Sequence, residues 1–361
     1  MPPTAGTGHN LIGTTVTDDW VITKQLPRPG ELGADDLTGS FFSIGYIASN
    51  GKNEAFVKII DVQKAIFSSG GSLMDRLKLV TESHSFECTI LDICKKAKLD
   101  RVVRIIARGE IPAPPGALTP IPTPYIMFEL ADGDVRKIIA KTNKLDDAVK
   151  FQVLHDVAVG LQQLHSQQIA HQDLKPSNVL LFQQVGGGAK IGDLGRASRK
   201  GMAPDHDANT IAGAIKYAPP EQAYGIAPQR WEDRREGCDI YHLGSLTTFI
   251  FAGITPTDHY VRDLPQDIRP RIWQGNDKCD YQTALPALTS SFTLFVSSIQ
   301  RDMPIWAADE LSKIIFNTCN PDYSKRGDPD ARKRVGSPIG IETFVSRFDK
   351  LAKRALVETQ R

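Results

Sequence analysis

The chain has 361 residues, 41% of them hydrophobic and 24% charged, and its 43 lysines and arginines nearly balance 42 aspartates and glutamates, leaving a net charge of +1. One large globular domain or a two-lobed one follows, and no excess positive charge draws the chain to nucleic acid or to an anionic membrane. The cysteines, Cys88, Cys94, Cys238, Cys279 and Cys319, are odd in number and form no C-x-x-C pair, which argues against a disulfide framework or a zinc site and fits a reducing compartment.

Residues 1–19 read as a flexible N-terminus. The first ten are rich in Pro, Gly and Thr without a basic stretch leading into an apolar one, which argues against a secretory signal. No apolar run reaches the roughly 18–20 residues that cross a bilayer, so a cytoplasmic protein is expected. Residues 20–26, 41–48 and 55–60 predict strands, with the turn signal Asn50-Gly51 between the last two. From 73 to 98 the apolar positions Leu77, Val80, Phe86, Ile90, Leu91 and Cys94 recur at helical spacing and end in a lysine-rich turn. Strands return at 102–106 and 125–129, and the six prolines of 111–124 demand a loop between them. Beyond residue 130, helical periodicity dominates at 148–166, 239–251, 308–319 and 341–357, while 255–305 carries no readable pattern. The expectation is an α+β, two-lobed fold, with a β-rich lobe over 20–130 and a helical lobe over 131–361.

The most informative stretch is 169–181, IAHQDLKPSNVLL, where apolar runs on both sides isolate a polar loop holding Asp173, Lys175 and Asn178. Such a set suits phosphoryl transfer, in which catalysis is mostly positioning and charge neutralisation: a carboxylate to orient a hydroxyl, an ammonium over the moving group, an amide oxygen for Mg²⁺. Twenty residues after Asp173, KIGDLG at 190–195 puts Asp193 at the end of another strand, where its carboxylate suits a hard cation.

These motifs resemble those of the eukaryotic-like (Hanks-type) serine/threonine protein kinase family, over about residues 20–356. His171-Gln172-Asp173 is similar to H-R-D with Gln for Arg, Asp193-Leu194-Gly195 to D-F-G with Leu for Phe, Lys58 in AFVKII to the strand lysine, and Pro219-Pro220-Glu221 to A-P-E. Asp239 resembles the aspartate at the start of the central large-lobe helix, and Arg332 the late arginine that pairs with the A-P-E glutamate. The resemblance implies in-line transfer from ATP with Mg²⁺ to a serine or threonine hydroxyl of a protein substrate. It implies Asp173 and Lys175 as catalytic residues, Asn178 and Asp193 on the metal, and Lys58 with a helix glutamate on the α and β phosphates. Glu87 is favoured over Glu82 as that glutamate, because Leu91 one turn on marks its face as core-facing. Gly39 and Ser40 are the candidates for backbone contact with phosphate, a plain hairpin turn being the other reading. Adenine would meet backbone groups of Glu129 and Ala131, beyond Phe128 as gatekeeper.

Departures matter too. Gln172 removes a cation that in many relatives captures a phosphate, so phosphorylation of Thr210 is not expected to be an obligatory switch. Ala214 stands where such kinases carry a threonine bonded to the catalytic Asp and Lys. An inactive scaffold of the same fold and a small-molecule phosphotransferase are the rival readings. Retention of Lys58, Asp173, Asn178 and Asp193 weighs against the first, and the segment 193–239, with PPE and CDIYHLG, against the second. The expected partners are a protein substrate and a regulatory protein, with no nucleic acid or membrane; residues 239–332 would add a docking surface.

Overall fold

The computed structural model describes residues 11–27, 43–62, 72–113, 121–142, 145–182, 187–202, 204–334 and 339–359. Gly39 and Ser40 lie outside them. Two compact units divide between Asp132 and Gly133.

The first unit is an antiparallel sheet and one long helix. Its strands are β1 (Thr15–Thr17), β2 (Trp20–Gln25), β3 (Ser43–Ser49), β4 (Glu54–Ile60), β5 (Ile105–Ile111) and β6 (Thr123–Glu129), in the order β1-β2-β3-β4-β6-β5. Alternation sets its core: Ile44, Tyr46 and Ala48 of β3 and Ala55, Val57 and Ile59 of β4 pack with Ile22, Tyr125 and Met127. Part of the stretch expected to be flexible is ordered instead. Leu11 is buried and β1 pairs with β2, held by the Tyr125 hydroxyl, which donates to Val16 O at 2.7 Å. Strand β6 also starts earlier than its prolines suggested. Pro124 lies just beyond the last β4 pairing, Ile59 with Tyr125, so its missing N–H breaks no bond on that side. Helix α1 (Leu73–Lys96) opens on a capping box in which Ser72 Oγ accepts from Asp75 N and Asp75 accepts from Ser72 N; Lys95 and Lys96 fill its last turn. Its inner face is Val80, Glu87, Cys88, Ile90, Leu91 and Cys94.

The second unit is mostly helical: β7 (Gly133–Asp134), α2 (Val135–Thr142), α3 (Asp147–Ser166), β8 (Ile169–Ala170), β9 (Val179–Phe182), β10 (Gly188–Ile191), β11 (Ser198–Arg199), α4 (Pro220–Ala223), α5 (Gly237–Ala252), α6 (Pro256–Asp263), α7 (Tyr281–Ile299), α8 (Ala308–Thr318) and α9 (Ile341–Glu358). Two short sheets, β10-β9-β7 and β11-β8, bracket the loop at 171–178. Helix α5 is buried almost throughout, continues a π-helical turn (Glu232–Glu236), and stops at Gly253, whose φ of 72° only glycine adopts cheaply. The unreadable 255–305 stretch folds as α6, a 3₁₀ turn (Arg271–Trp273) and α7. Tyr281, Ala284, Leu288, Phe292, Phe295, Val296 and Ile299 form the buried stripe of α7, which its threonines and Pro286 disguise in the sequence. No helix among the described residues is long and apolar enough to cross a membrane.

Candidate active site

Within the first unit, β4 and α1 bring one ion pair together. Lys58 Nζ donates to Glu87 Oε1 at 2.8 Å and Oε2 at 3.0 Å, with both side chains buried. Glu82 instead lies exposed beside Lys78. A buried ammonium needs such a partner, since burying either charge alone is costly. Phe128 is buried at the end of β6 and stacks on Phe56 at 6.3 Å. The Glu129 N–H donates to Arg104 O at 3.1 Å and its carboxylate accepts from Arg104 N at 2.8 Å, so that N–H serves the fold. Ala131 is half-buried in the turn that follows.

Within the second unit, the loop between β8 and β9 is tied at almost every polar atom. Asp239, at the start of α5, accepts from His171 N (2.8 Å) and Gln172 N (2.7 Å), and its Oδ2 lies 2.9 Å from His165 Nε2. Burial opposes the Asp239 charge, but the His165 hydrogen bond and charge, His171 and the Gln172 N–H outweigh it and hold the carboxyl below its usual range. Burial likewise pulls His165 down, and its bond to Asp239 more than compensates. The His171 ring bridges two backbone groups: Nε2 is 3.0 Å from Gly192 O, and Asp173 N donates to Nδ1 at 3.2 Å. A carbonyl accepts only, so Nε2 carries the proton and Nδ1 is bare, the neutral tautomer.

Asp173 sits at the centre. Its Oδ2 accepts from Lys175 Nζ at 2.7 Å and its Oδ1 from Ala214 N at 2.7 Å. Asn178 Nδ2 donates to Asp173 O at 2.8 Å, and Gly192 N to Asn178 O at 2.8 Å, so the residue before Asp193 is pinned to the loop from both faces. Asp193 itself holds a left-handed φ of 59°, an uncommon state for a non-glycine that surrounding contacts must impose. The threonine absent at 214 is replaced by the backbone N–H of Ala214. Gly213 allows that approach: a Cβ there would sit 2.4 Å from Gln172 O and 2.7 Å from Asp173 Oδ1.

Two sequence expectations are corrected. Glu221 pairs with Arg326, whose Nη1 and Nη2 each donate at 2.7 Å, while Arg332 bonds Asp233 at 2.8 Å. Arg326 precedes Gly327, whose φ of 109° makes the tight turn that aims it inward; six residues on, Arg332 lacks that turn. Second, Gln172 does not leave its neighbourhood without a cation. Arg235, from the π-helical turn, donates through Nη1 to Gln172 Oε1. Sequence reading missed Arg326, Arg235, Asp207 and Ser198, since only the fold brings residues so far apart in the chain together.

His242 of α5 lies close to this cluster. Burial, the main influence, pushes its imidazole down to about 4, against the pull of Asp239 and Asp173 and with His171 and Arg326 adding to the fall. Between pH 6.5 and about 4 the unfolded chain therefore takes up a proton that the folded chain refuses, and stability falls as pH falls through that window, by about 3 kcal/mol in all. Urea midpoints followed over this range should drop less steeply in His242→Gln than in the wild type; parallel curves would assign the acid sensitivity elsewhere.

Residues 77–332 match the family model described as protein kinase domain. The match begins inside α1, so β4 and Lys58 precede it. The chain is similar to ribosomal protein S6 kinase 2 alpha of Gallus gallus, 27% identical over 294 residues, covering 76% of this chain and 35% of that protein. It is 34% identical to ribosomal protein S6 kinase alpha-1 of Homo sapiens over 161 residues, 42% of this chain and 20% of that one. A probable LRR receptor-like serine/threonine-protein kinase of Arabidopsis thaliana is 26% identical over 236 residues, 63% and 19% of the two chains. The chain thus spans about a third or less of the length of these relatives.

Proposed function

Because this chain belongs to the protein kinase family, we propose that it transfers the γ-phosphoryl group of ATP to serine or threonine hydroxyls of a protein substrate. The observation that carries this reading is the Asp173 carboxylate, held on one oxygen by Lys175 and on the other by the Ala214 N–H. Asp173 orients the substrate hydroxyl and takes its proton; Lys175 beside it stabilises charge as that charge shifts between oxygens. Lys58, oriented by Glu87, contacts the α and β phosphates, Gly39 and Ser40 approach them through their backbone, and Glu129 and Ala131 meet adenine with backbone groups.

The residues present fit Mg²⁺. Asn178 Nδ2 is committed to Asp173 O, so the amide offers its Oδ1, met by Ser177 Oγ at 3.5 Å, and with the Asp193 carboxylate this makes an all-oxygen set of the kind a hard cation takes alongside phosphate oxygens. Asn178 and Asp193 would hold the ion, which supplies charge neutralisation when bound. The serine/threonine preference rests on the DLKPSN wording and on the name of the Arabidopsis relative. The free cysteines suit a reducing compartment such as the cytoplasm.

The test is labelled ATP with Mg²⁺ and a generic acceptor protein, followed by acid hydrolysis to identify the phosphoamino acid, for the wild type and for Lys58→Met. Phosphoserine or phosphothreonine from the wild type, with the rate down roughly 10²–10³-fold in Lys58→Met as for loss of one charge-stabilising donor, is the expected result. Phosphotyrosine would overturn the substrate class. Retained ATP binding without any transfer would move the scaffold reading to the front.

A further inference from the structure

A closed ring of four side chains lies beside the Asp173 loop and plays no part in the chemistry assigned above. Gln172 Nε2 donates to Ser198 Oγ, Ser198 Oγ donates to Asp207 Oδ1, Arg235 Nη2 pairs with Asp207 Oδ1 at 2.9 Å, and Arg235 Nη1 donates to Gln172 Oε1. Gln172, Ser198 and Arg235 are buried. The Asp207 carbonyl is held as well, by Arg234 Nη2 at 2.6 Å and Arg235 Nη2 at 3.2 Å. Its neighbour His206 is tied by Nε2 to Ala197 O at 2.8 Å.

The members come from four places in the chain. Gln172 adjoins Asp173, Ser198 sits in β11 paired with Ala170, Arg235 lies four residues before Asp239, and Asp207 belongs to the segment running from Asp193 to Glu221. Gln172 carries a φ of 62°. A non-glycine residue stays in that region only when its surroundings over-determine it. Here its N–H is fixed by Asp239, and both ends of its amide by Arg235 and Ser198. A buried guanidinium also requires a counter-charge, and Asp207 supplies a full one with no modification of the chain. The same segment reaches the loop a second time where Ala214 N meets Asp173 Oδ1.

We propose that Arg235 and Asp207 are positioning residues that lock Gln172, and through it Asp173, while anchoring the 204–217 segment by a charge the sequence already contains, so that transfer needs no phosphate on that segment. The claim rests on the kinase reading of Asp173. Its ring geometry stands apart from that reading.

The experiment uses the full chain after phosphatase treatment, with Asp207→Asn, Arg235→Gln, Thr210→Ala and the swapped pair Gln172→Arg with Arg235→Gln. Two readouts are taken: steady-state rates with Mg²⁺ and ATP, and amide hydrogen exchange across 204–217. Phosphatase-treated wild type and Thr210→Ala should keep the untreated rate. Asp207→Asn and Arg235→Gln should lose about 10–100-fold in kcat, the scale of a small misplacement of a catalytic group, with KM for ATP shifted less than about threefold. Exchange across 204–217 should rise in both. The swapped pair, which again sets a guanidinium against Asp207, should recover most of the loss of Arg235→Gln. Loss of activity on phosphatase treatment, unchanged exchange in Asp207→Asn, or a swapped pair no better than Arg235→Gln would each overturn the proposal. A wild type that transfers nothing would sink the kinase reading, and the clamp would then stand or fall on exchange alone.

Discussion

Arg326→Met is expected to lower the stability of the helical unit by about 3–5 kcal/mol, the range for stripping one partner from a buried ion pair. Arg326 is fully buried, and besides its two bonds to Glu221 it donates to Gly237 O at 3.3 Å and, from Nη2, to Asn320 O at 3.2 Å. Its guanidinium also lies 5.0 Å from the Tyr241 ring centroid. Methionine keeps the volume and removes the charge, leaving the Glu221 carboxylate buried without its partner. For a unit of this size the melting temperature should fall by roughly 6–20 °C. Arg332→Met should cost less, about 1.5–3 kcal/mol, since a single 2.8 Å bond joins it to Asp233 and Arg230 remains 3.8 Å from that carboxylate. Removing both partners, in Arg326→Met with Glu221→Leu, should restore much of the loss because no lone charge remains. Equal losses at the two arginines would return Glu221 to Arg332.

The elements that could be read early are those whose periodicity survives by itself. The 73–98 prediction and helix α1 differ by two residues at one end, since apolar positions at helical spacing and a lysine-rich last turn are local signals. Strands β3 and β4 were legible from alternation around Asn50-Gly51. By contrast α7 is made legible only by its neighbours: β-branched residues and an internal proline speak against a helix until the apolar stripe finds a partner. Strand β1 carries too few residues for any periodicity, and its order comes from Tyr125 far along the chain.

At the site, the loop residues were visible because one short segment holds them: Asp173, Lys175 and Asn178 lie within six positions. Lys58 and Glu87 are 29 residues apart, and the choice of Glu87 over Glu82 followed from helix geometry. What stayed hidden is long-range pairing. Gly327 after Arg326 is a local difference from Arg332 but names no partner, and replacing Arg by Gln at 172 reads as the loss of a cation until Arg235, 63 residues on, is seen to supply one. Ala214 shows the same limit, because a lost side-chain hydroxyl says nothing about the backbone N–H behind it.

Asp173→Asn carries the largest expected effect on activity. The carboxylate accepts on both oxygens, from the Lys175 ammonium and the Ala214 N–H. An amide of the same shape must turn its NH₂ toward one of those donors, and it cannot take the proton of a substrate hydroxyl. Loss of a positioned base slows transfer by about 10²–10⁴-fold. Binding of ATP, assigned to other residues, should persist. The direct measurement is the rate of phosphate transfer from labelled ATP with Mg²⁺ to an acceptor protein, for the wild type and Asp173→Asn side by side with matched ATP binding. Transfer by the wild type and a fall of that size in the variant is the predicted result; a variant as active as the wild type would contradict the role of Asp173.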